Sequence, residues 1–510
     1  MRRRRSARSR LGALCAIAAV VLGAAGAALA SPPASTRHEA RPTGAPAAAP
    51  AEARHSDGAA ARADRTQEER PGARSQMVDV GSIDEPFLFR LGRGVVAIGV
   101  LLGVLWLFSA HRRRVDWALV AKGLGLQVLF ALLVLKTEWG RGFFRIVNDV
   151  FVALIGFTNA GASFVFGNLV QPVVPVTDGP GTVGLMANFA FSVLPTIIFF
   201  SALMTILYYI GFMQTVVKIV ARLMQKTLGT SGAETTSAAG NIFVGQTEAP
   251  LLVKPFVEKM TMSELTTVMT GGFATVAGGV MAAYVAMLSG VFPSIAGHLL
   301  AASIMAAPAG IVVSKLLYPE TEEPETGGTL DIAVEQDHVN VIDAAAGGAS
   351  DGMRLALNVG AMLIAFLALI ALGNGLLGWT LGLFGVEGVT LERLLGWAFA
   401  PVAWLIGVPY ADAATIGSLF GVKMVANEFV AFQMLADGLA AGAALSPKSV
   451  IIATYALTGF ANFSSIAIQI GGIGGIAPSR RHDLSRLGLR AMLGGTVATW
   501  MTATLAGILA

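Results

Sequence analysis

The stretch from Gly240 to Phe256 reads Gly-Asn-Ile-Phe-Val-Gly-Gln-Thr-Glu-Ala-Pro-Leu-Leu-Val-Lys-Pro-Phe. It lies between long apolar segments, yet it carries Asn241, Gln246, Thr247 and Glu248, followed by Pro250 and Pro255. A smooth membrane helix does not tolerate that grammar. A helix pair broken near its tip does: glycine and proline free backbone groups, and irregular backbone survives at membrane depth only where protein or a wet cavity satisfies it. An ionisable side chain such as Glu248 in that setting is a functional-site candidate. The bland alternative, a solvent loop between two ordinary helices, fits poorly with such apolar flanks.

Composition sets the medium. The 510 residues are 54% hydrophobic and 13% charged, against about 25% charged in ordinary soluble chains, so the class is a polytopic membrane protein. Sixty glycines suit closely packed or interrupted membrane helices. Much of the basic surplus lies between Arg2 and Arg10, so nucleic acid is not an implied partner. The single cysteine, Cys15, excludes an intramolecular disulfide and any cysteine-based metal site. The six histidines (His38, His55, His111, His298, His338, His482) are scattered, with no His-Glu-x-x-His pattern.

Taken in order, residues 1–30 have the basic start, apolar run and Ala28-Leu29-Ala30 site of a cleaved secretory signal. Residues 31–76 are expected to form a disordered periplasmic tail. Leu91 to Ala110 is the first span; the basic run His111 to Arg114 places its end in the cytoplasm. Trp117 to Leu135 returns outward. Phe143 to Gly167, interrupted by Asn148, Asp149, Asn159 and Gly161, reads as a helix lying on the surface. Leu185 to Phe212 runs inward. Lys218, Arg222 and Lys226, four apart, suggest an amphipathic helix at the cytoplasmic interface. Thr266 to Leu288 runs outward and Leu299 to Leu316 inward. The acidic segment Tyr318 to Asp351 reads as a cytoplasmic connector. Its Gly348-Ala349-Ser350-Asp351-Gly352 matches the serine-hydrolase pattern by chance, because no strand precedes it. Leu355 to Leu383 runs outward, and Leu394 to Gly407 is expected at the outer interface. Asp412 to Asp437 forms a second hairpin with Gly421, Lys423, Asn427 and Glu428. Val450 to Ala477 runs inward to the basic group Arg480, Arg481, Arg486 and Arg490, and Ala491 to Ala510 returns outward.

The expected fold is therefore an all-α polytopic membrane protein with about eight transmembrane helices, two opposed re-entrant hairpins and interfacial helices. The expected divisions are a scaffold (77–230), a first hairpin unit (231–316), the connector (317–354), a scaffold helix with an interfacial segment (355–407) and a second hairpin unit (408–510).

The second half echoes the first. Gly240 to Pro250 pairs with Gly421 to Ala431, and Gly272-Phe273-Ala274-Thr275 pairs with Gly459-Phe460-Ala461-Asn462. The two units enter from opposite sides, which makes an inverted repeat. Inverted repeats with broken helices bind a solute near the membrane midplane, where the halves meet. Glu248 and Glu428 offer acceptors; Gln246, Asn427 and Asn462 donate and accept; Thr247, Ser464 and Ser465 add hydroxyls. That inventory suits a polar, neutral solute with hydroxyls or a heterocycle. It suits a phosphorylated one poorly, since only Lys423 among cations lies in the hairpin tips. Asn241, the carbonyls near Val244, and Thr275 with the carbonyls beside it offer an oxygen cage for a small cation. The alternative is a proton carried on a glutamate.

Gly-Asn-Ile-Phe-Val-Gly-Gln-Thr-Glu-Ala-Pro, Ala-Asn-Glu-Phe-Val-Ala-Phe and Gly-Phe-Ala-Asn-Phe-Ser-Ser-Ile resemble the signature segments of the concentrative nucleoside transporters, over roughly residues 90 to 510. The resemblance implies a homotrimer in membrane lipid, each protomer with a fixed scaffold and a moving transport part. It implies that Gln246, Thr247 and Glu248 contact the nucleobase, with Val280 packing nearby. Glu428, Asn462 and Ser465 would take the ribose hydroxyls, with Phe460 against the sugar. Asn241, Val244, Thr275 and Val276 would hold a sodium ion as the coupling ion, the valines through backbone carbonyls. Thr275 stands where a serine is expected, and the hydroxyl is kept. The function so implied is nucleoside uptake across a bacterial inner membrane, coupled to sodium, with proton coupling as the alternative and no enzymatic step.

Overall fold

The computed structural model describes residues 85–170, 173–175, 182–184, 189–327 and 338–509. The expected signal (1–30) and tail (31–76) lie outside the described residues.

Among the described residues, eight helices are long and apolar enough to cross a membrane. The first four are α1 (Phe87–Leu107), α2 (Trp117–Lys136), α3 (Glu138–Phe166) and α4 (Phe189–Tyr209). Asp116 caps α2 by accepting from the Ala118 and Leu119 amides, which satisfies two of the donors a helix start leaves unpaired. A small antiparallel ladder pairs β1 (Val173–Pro175) with β2 (Thr182–Gly184). The amphipathic helix α5 (Phe212–Leu228) buries Met213, Val217, Ala221, Met224 and Leu228 along one stripe. It ends at Gly229, whose φ of +73° closes the helix.

Next come α6 (Gly232–Gly240), α7 (Met262–Ala274), α8 (Gly278–Leu288) and α9 (Ile295–Leu317). The 42-residue α10 (Val341–Gly382) leads to α11 (Leu391–Leu405) and α12 (Tyr410–Val425), which fold against each other with a 119° bend. The chain closes with α13 (Glu428–Ala440), α14 (Pro447–Leu457), α15 (Phe463–Ile476) and α16 (Arg481–Leu509). Helices α9 and α16 are buried nearly along their length and form the centre. α10 lies at the periphery and exposes Leu357, Ile364, Leu372 and Trp379, a surface that suits lipid or another protein chain better than water.

Phe143 to Phe166 is helical as expected, continuous with Glu138; α3 is also long and apolar enough to cross, and most of it is unburied. Three expectations change. Val450 to Ala477 is two helices, α14 and α15, separated by Thr458–Asn462. Thr266 to Leu288 is likewise split into α7 and α8. The described part of the connector after residue 338 is no loop: Asn340 caps α10 by accepting from the Asp343 amide, and Val341 to Asp351 is its first segment. Gly348 and Gly352 lie within that helix, and Cβ atoms there would come within 2.8 Å of Ala202 and 2.7 Å of Ile198 in α4. The pair is a small-x-x-x-small contact.

Candidate functional site

The base of the first hairpin is locked by two capping boxes. Ser231 caps α6 with Glu234 reaching back, and Thr261 caps α7 with Glu264 doing the same. The boxes are cross-linked: Ser231 Oγ donates to Glu264 at 2.5 Å. Buried Lys315, at the end of α9, sits 2.7 Å from Glu234 and 3.3 Å from Glu320. Beyond Gly240 the chain leaves helical geometry for the tip and resumes as a 3₁₀ turn at Ala249–Val253. The second hairpin is α12 and α13. It breaks at Ala426, and Asn427 caps α13 by accepting from the Val430 amide at 2.9 Å.

Each hairpin faces a broken helix. The Phe243 carbonyl accepts from the Gly278 amide at 3.0 Å, which ties the first tip to the α7/α8 break. The α14/α15 break turns at Gly459, φ +97°, where a Cβ would come 2.6 Å from the Phe273 carbonyl oxygen. The two breaks therefore touch, and only a glycine permits the approach.

A chain of hydrogen bonds joins both hairpins through α15. Asn462 Nδ2 donates to Glu428 Oε2 at 2.7 Å. Asn462 Oδ1 accepts from the Ser465 amide at 2.8 Å and from Ser464 Oγ at 2.7 Å. Gln246 Nε2 donates to Ser465 Oγ at 3.2 Å. Four expected substrate residues, Gln246, Glu428, Asn462 and Ser465, are thus brought together and buried. Thr247 packs over Gly472, where a Cβ would meet its methyl at 2.8 Å. Val280 and Phe460 are buried side chains at the breaks. Glu248 is set apart. Its carboxylate folds over Gly245, remains accessible, and lies within electrostatic reach of Asp351 on α10 and Tyr208 on α4.

Two residues escaped the sequence reading. Gln469 Nε2 donates to Gln246 Oε1 at 2.9 Å and to the Met269 carbonyl at 3.1 Å. It follows Ser465 by four positions on the inner face of α15, so helical spacing from Asn462 and Ser465 was the available signal. Tyr284 on α8 packs its ring 4.9 Å from Phe429 and 4.5 Å from Phe432, centroid to centroid, next to Glu428.

The expected cation residues also converge. Asn241 is fully buried, and neither its amide oxygen nor its nitrogen has a protein partner. A Cβ on Gly271, in the last turn of α7, would lie 3.2 Å from Asn241 Nδ2. Thr275 Oγ1 donates to the Gly271 carbonyl at 2.9 Å, and its lone pairs remain to accept. Val244 is buried in the first hairpin tip and Val276 in the α7/α8 break. An unpaired buried amide costs about 1–3 kcal/mol, and helix C-termini carry partial negative charge. A small hard cation on Asn241 Oδ1 answers the unpaired oxygen and the helix-end charge, so the oxygen set fits sodium.

Hairpins that face two touching helix breaks are an architecture found among secondary transporters. Three family models match in chain order: "Na+ dependent nucleoside transporter N-terminus" over residues 96–169, "Nucleoside recognition" over 190–291 and "Na+ dependent nucleoside transporter C-terminus" over 298–507. The chain is 46% identical over 417 residues to the uncharacterized transporter YutK of Bacillus subtilis, covering 81% of this chain and 98% of that one. It is 42% identical over 426 residues to sodium/nucleoside cotransporter 1 of Rattus norvegicus, covering 81% of this chain and 63% of the rat protein. Among solved structures, inward-facing, substrate-bound CNTnw matches with a TM-score of 0.75 and 45% identity, over 82% of this chain and 98% of that one. The chain belongs to the concentrative, Na+-dependent nucleoside transporter family.

Proposed function

We propose that the protein is a symporter that takes up nucleosides across a bacterial inner membrane, driven by a sodium gradient, by alternating access. The observation that carries this reading is the buried chain Gln246–Ser465–Asn462–Glu428, which links the two hairpin tips. Glu428, an acceptor-only group when ionised, takes ribose hydroxyls; Asn462 holds it in place and offers a donor. Gln246, with Thr247 and Glu248, reads the edge of the base, and Phe460 and Val280 supply apolar surface. Substrate hydroxyls replace contacts that these side chains now make with one another.

Sodium is cargo as well as drive. Asn241 and Thr275 hold it through side-chain oxygens and Val244 and Val276 through carbonyls, which fixes the first tip against the α7/α8 break. No bond of the substrate is made or broken. The protomer works as a homotrimer in lipid, with a periplasmic N-terminal tail. The rat relative's description and the family models support the substrate and the ion.

The test is nucleoside binding to the purified protein in sodium, for uridine and its 2′- and 3′-deoxy analogues. Glu428→Gln removes charge-assisted bonds each worth about 1.5–3 kcal/mol, so uridine affinity falls at least about tenfold, and the analogues lose their disadvantage. If Glu428→Gln leaves uridine affinity and the analogue ranking unchanged, the ribose assignment is wrong.

A further inference from the structure

The two halves present the same arrangement to different partners. In each, the end of the first hairpin arm lies against the C-terminal end of the first half of a broken helix. Such an end carries unpaired carbonyls and a partial negative charge. In the first half the hairpin residue at that place is Asn241, a neutral side chain with no protein partner, beside the last turn of α7. In the second half it is Lys423, in the last turn of α12. Its Nζ donates to the Ala456 carbonyl at 2.8 Å and to the Thr458 carbonyl at 3.1 Å, the final turn and cap of α14. Lys423 is buried and within electrostatic reach of Glu428.

We propose that the Lys423 ammonium is a tethered cation, which takes in the second repeat the place that a free sodium takes in the first. The assignment rests on the sodium reading above for the first repeat only; the lysine geometry stands by itself. A buried ammonium at this point does two jobs that a coupling ion does at Asn241. It satisfies carbonyls exposed by a helix break, and it opposes the dipole of the helix that ends there. It also neutralises Glu428, so the carboxylate that faces the sugar stays charged without a second ion. The consequence is asymmetry: the first hairpin is ordered only when a cation binds, whereas the second carries its cation permanently. One free cation per protomer then suffices, although the repeat offers two places for one. Lys423 acts through the α14/α15 break and through Glu428, which makes it a positioning residue.

The experiment counts sodium. Radioactive sodium bound per protomer is measured at equilibrium on the purified protein and on Lys423→Ser, which removes the charge, opens the space of the stem and leaves a hydroxyl beside the freed carbonyls. The expected result is one more sodium per protomer in Lys423→Ser than in the wild type. Lys423→Met keeps the volume and offers no strong oxygen ligand. It gains no sodium, and its uridine affinity falls by about 100-fold because Glu428 loses its counter-charge. If Lys423→Ser does not elute as a folded species, Lys423→Gln carries the same count.

A folded Lys423→Ser that binds no more sodium than the wild type overturns the proposal and leaves Lys423 as a structural cap. If the wild type binds none while Lys423→Ser gains one, the sodium site at Asn241 fails and the tethered cation stands. The two readings therefore fail separately.

Discussion

Replacing Asn241 by leucine reverses the ordinary sign of a buried mutation. Asn241 is fully buried with both amide atoms unpaired by protein, which costs the sodium-free protein about 1–3 kcal/mol. Leucine has nearly the same volume and no polar atom, so Asn241→Leu removes that penalty. In choline chloride the variant unfolds at a temperature higher by about 1–3 °C, since an unfolding entropy of about 2.1 cal/mol/K per residue means that about 1 kcal/mol moves the midpoint of a chain this long by roughly 1 °C. In sodium chloride the advantage of the variant closes or inverts. Sodium at 100 times its dissociation constant stabilises the wild type by about 2.7 kcal/mol and leaves Asn241→Leu unmoved. The assay is tryptophan fluorescence during heating, at equal ionic strength in the two salts. Two results refute the reasoning: a wild type whose midpoint is the same in both salts, or a variant destabilised equally in both. Either would mean that Asn241 is satisfied within the protein and holds no ion.

Other consequences follow from the same geometry. Gly459→Ala forces a Cβ to 2.6 Å from the Phe273 carbonyl at φ +97°; left-handed backbone alone costs about 1–2 kcal/mol for an L-residue. The melting midpoint should drop by at least about 1–2 °C in both salts, and an unchanged midpoint would deny the contact between the breaks. Gln469→Leu removes two neutral hydrogen bonds, each worth about 0.5–1.5 kcal/mol, one of them the bond that orients Gln246. Loss of the bond to Gln246 should raise substrate KM by roughly 2- to 13-fold with the sodium-dependent melting shift intact; loss of that shift would show that Gln469 supports the fold and not the base-binding edge.

The hairpin tips were legible because they break the rules of an apolar chain. Asn241, Gln246, Glu248 and Glu428 stand out between long apolar segments, and Gly240, Pro250 and Pro255 announce non-helical backbone. The α14/α15 break was legible only as an echo. Thr458 to Asn462 holds one glycine and no proline, so hydropathy runs through it, and its geometry comes from packing against Phe273 and Ala274. α3 was legible as a helix, and its Asn and Gly residues lie within it without breaking it. Gln469 was hidden because a lone glutamine in an apolar helix is an ordinary helix former, and its partners come from 200 and 223 residues away. The lock of Glu234, Glu264, Lys315 and Glu320 is also tertiary. Each capping box is visible locally, but nothing in the sequence says that the two boxes meet.

The most direct measurement is radiolabelled uridine uptake into proteoliposomes, first under an inward sodium gradient and then under a proton gradient alone. The account predicts concentrative uptake with sodium only, abolished in Glu428→Gln. Uptake driven by protons without sodium would contradict the cation site at Asn241 and Thr275. Failure of uridine, adenosine and other nucleosides under both gradients would contradict the substrate assignment itself.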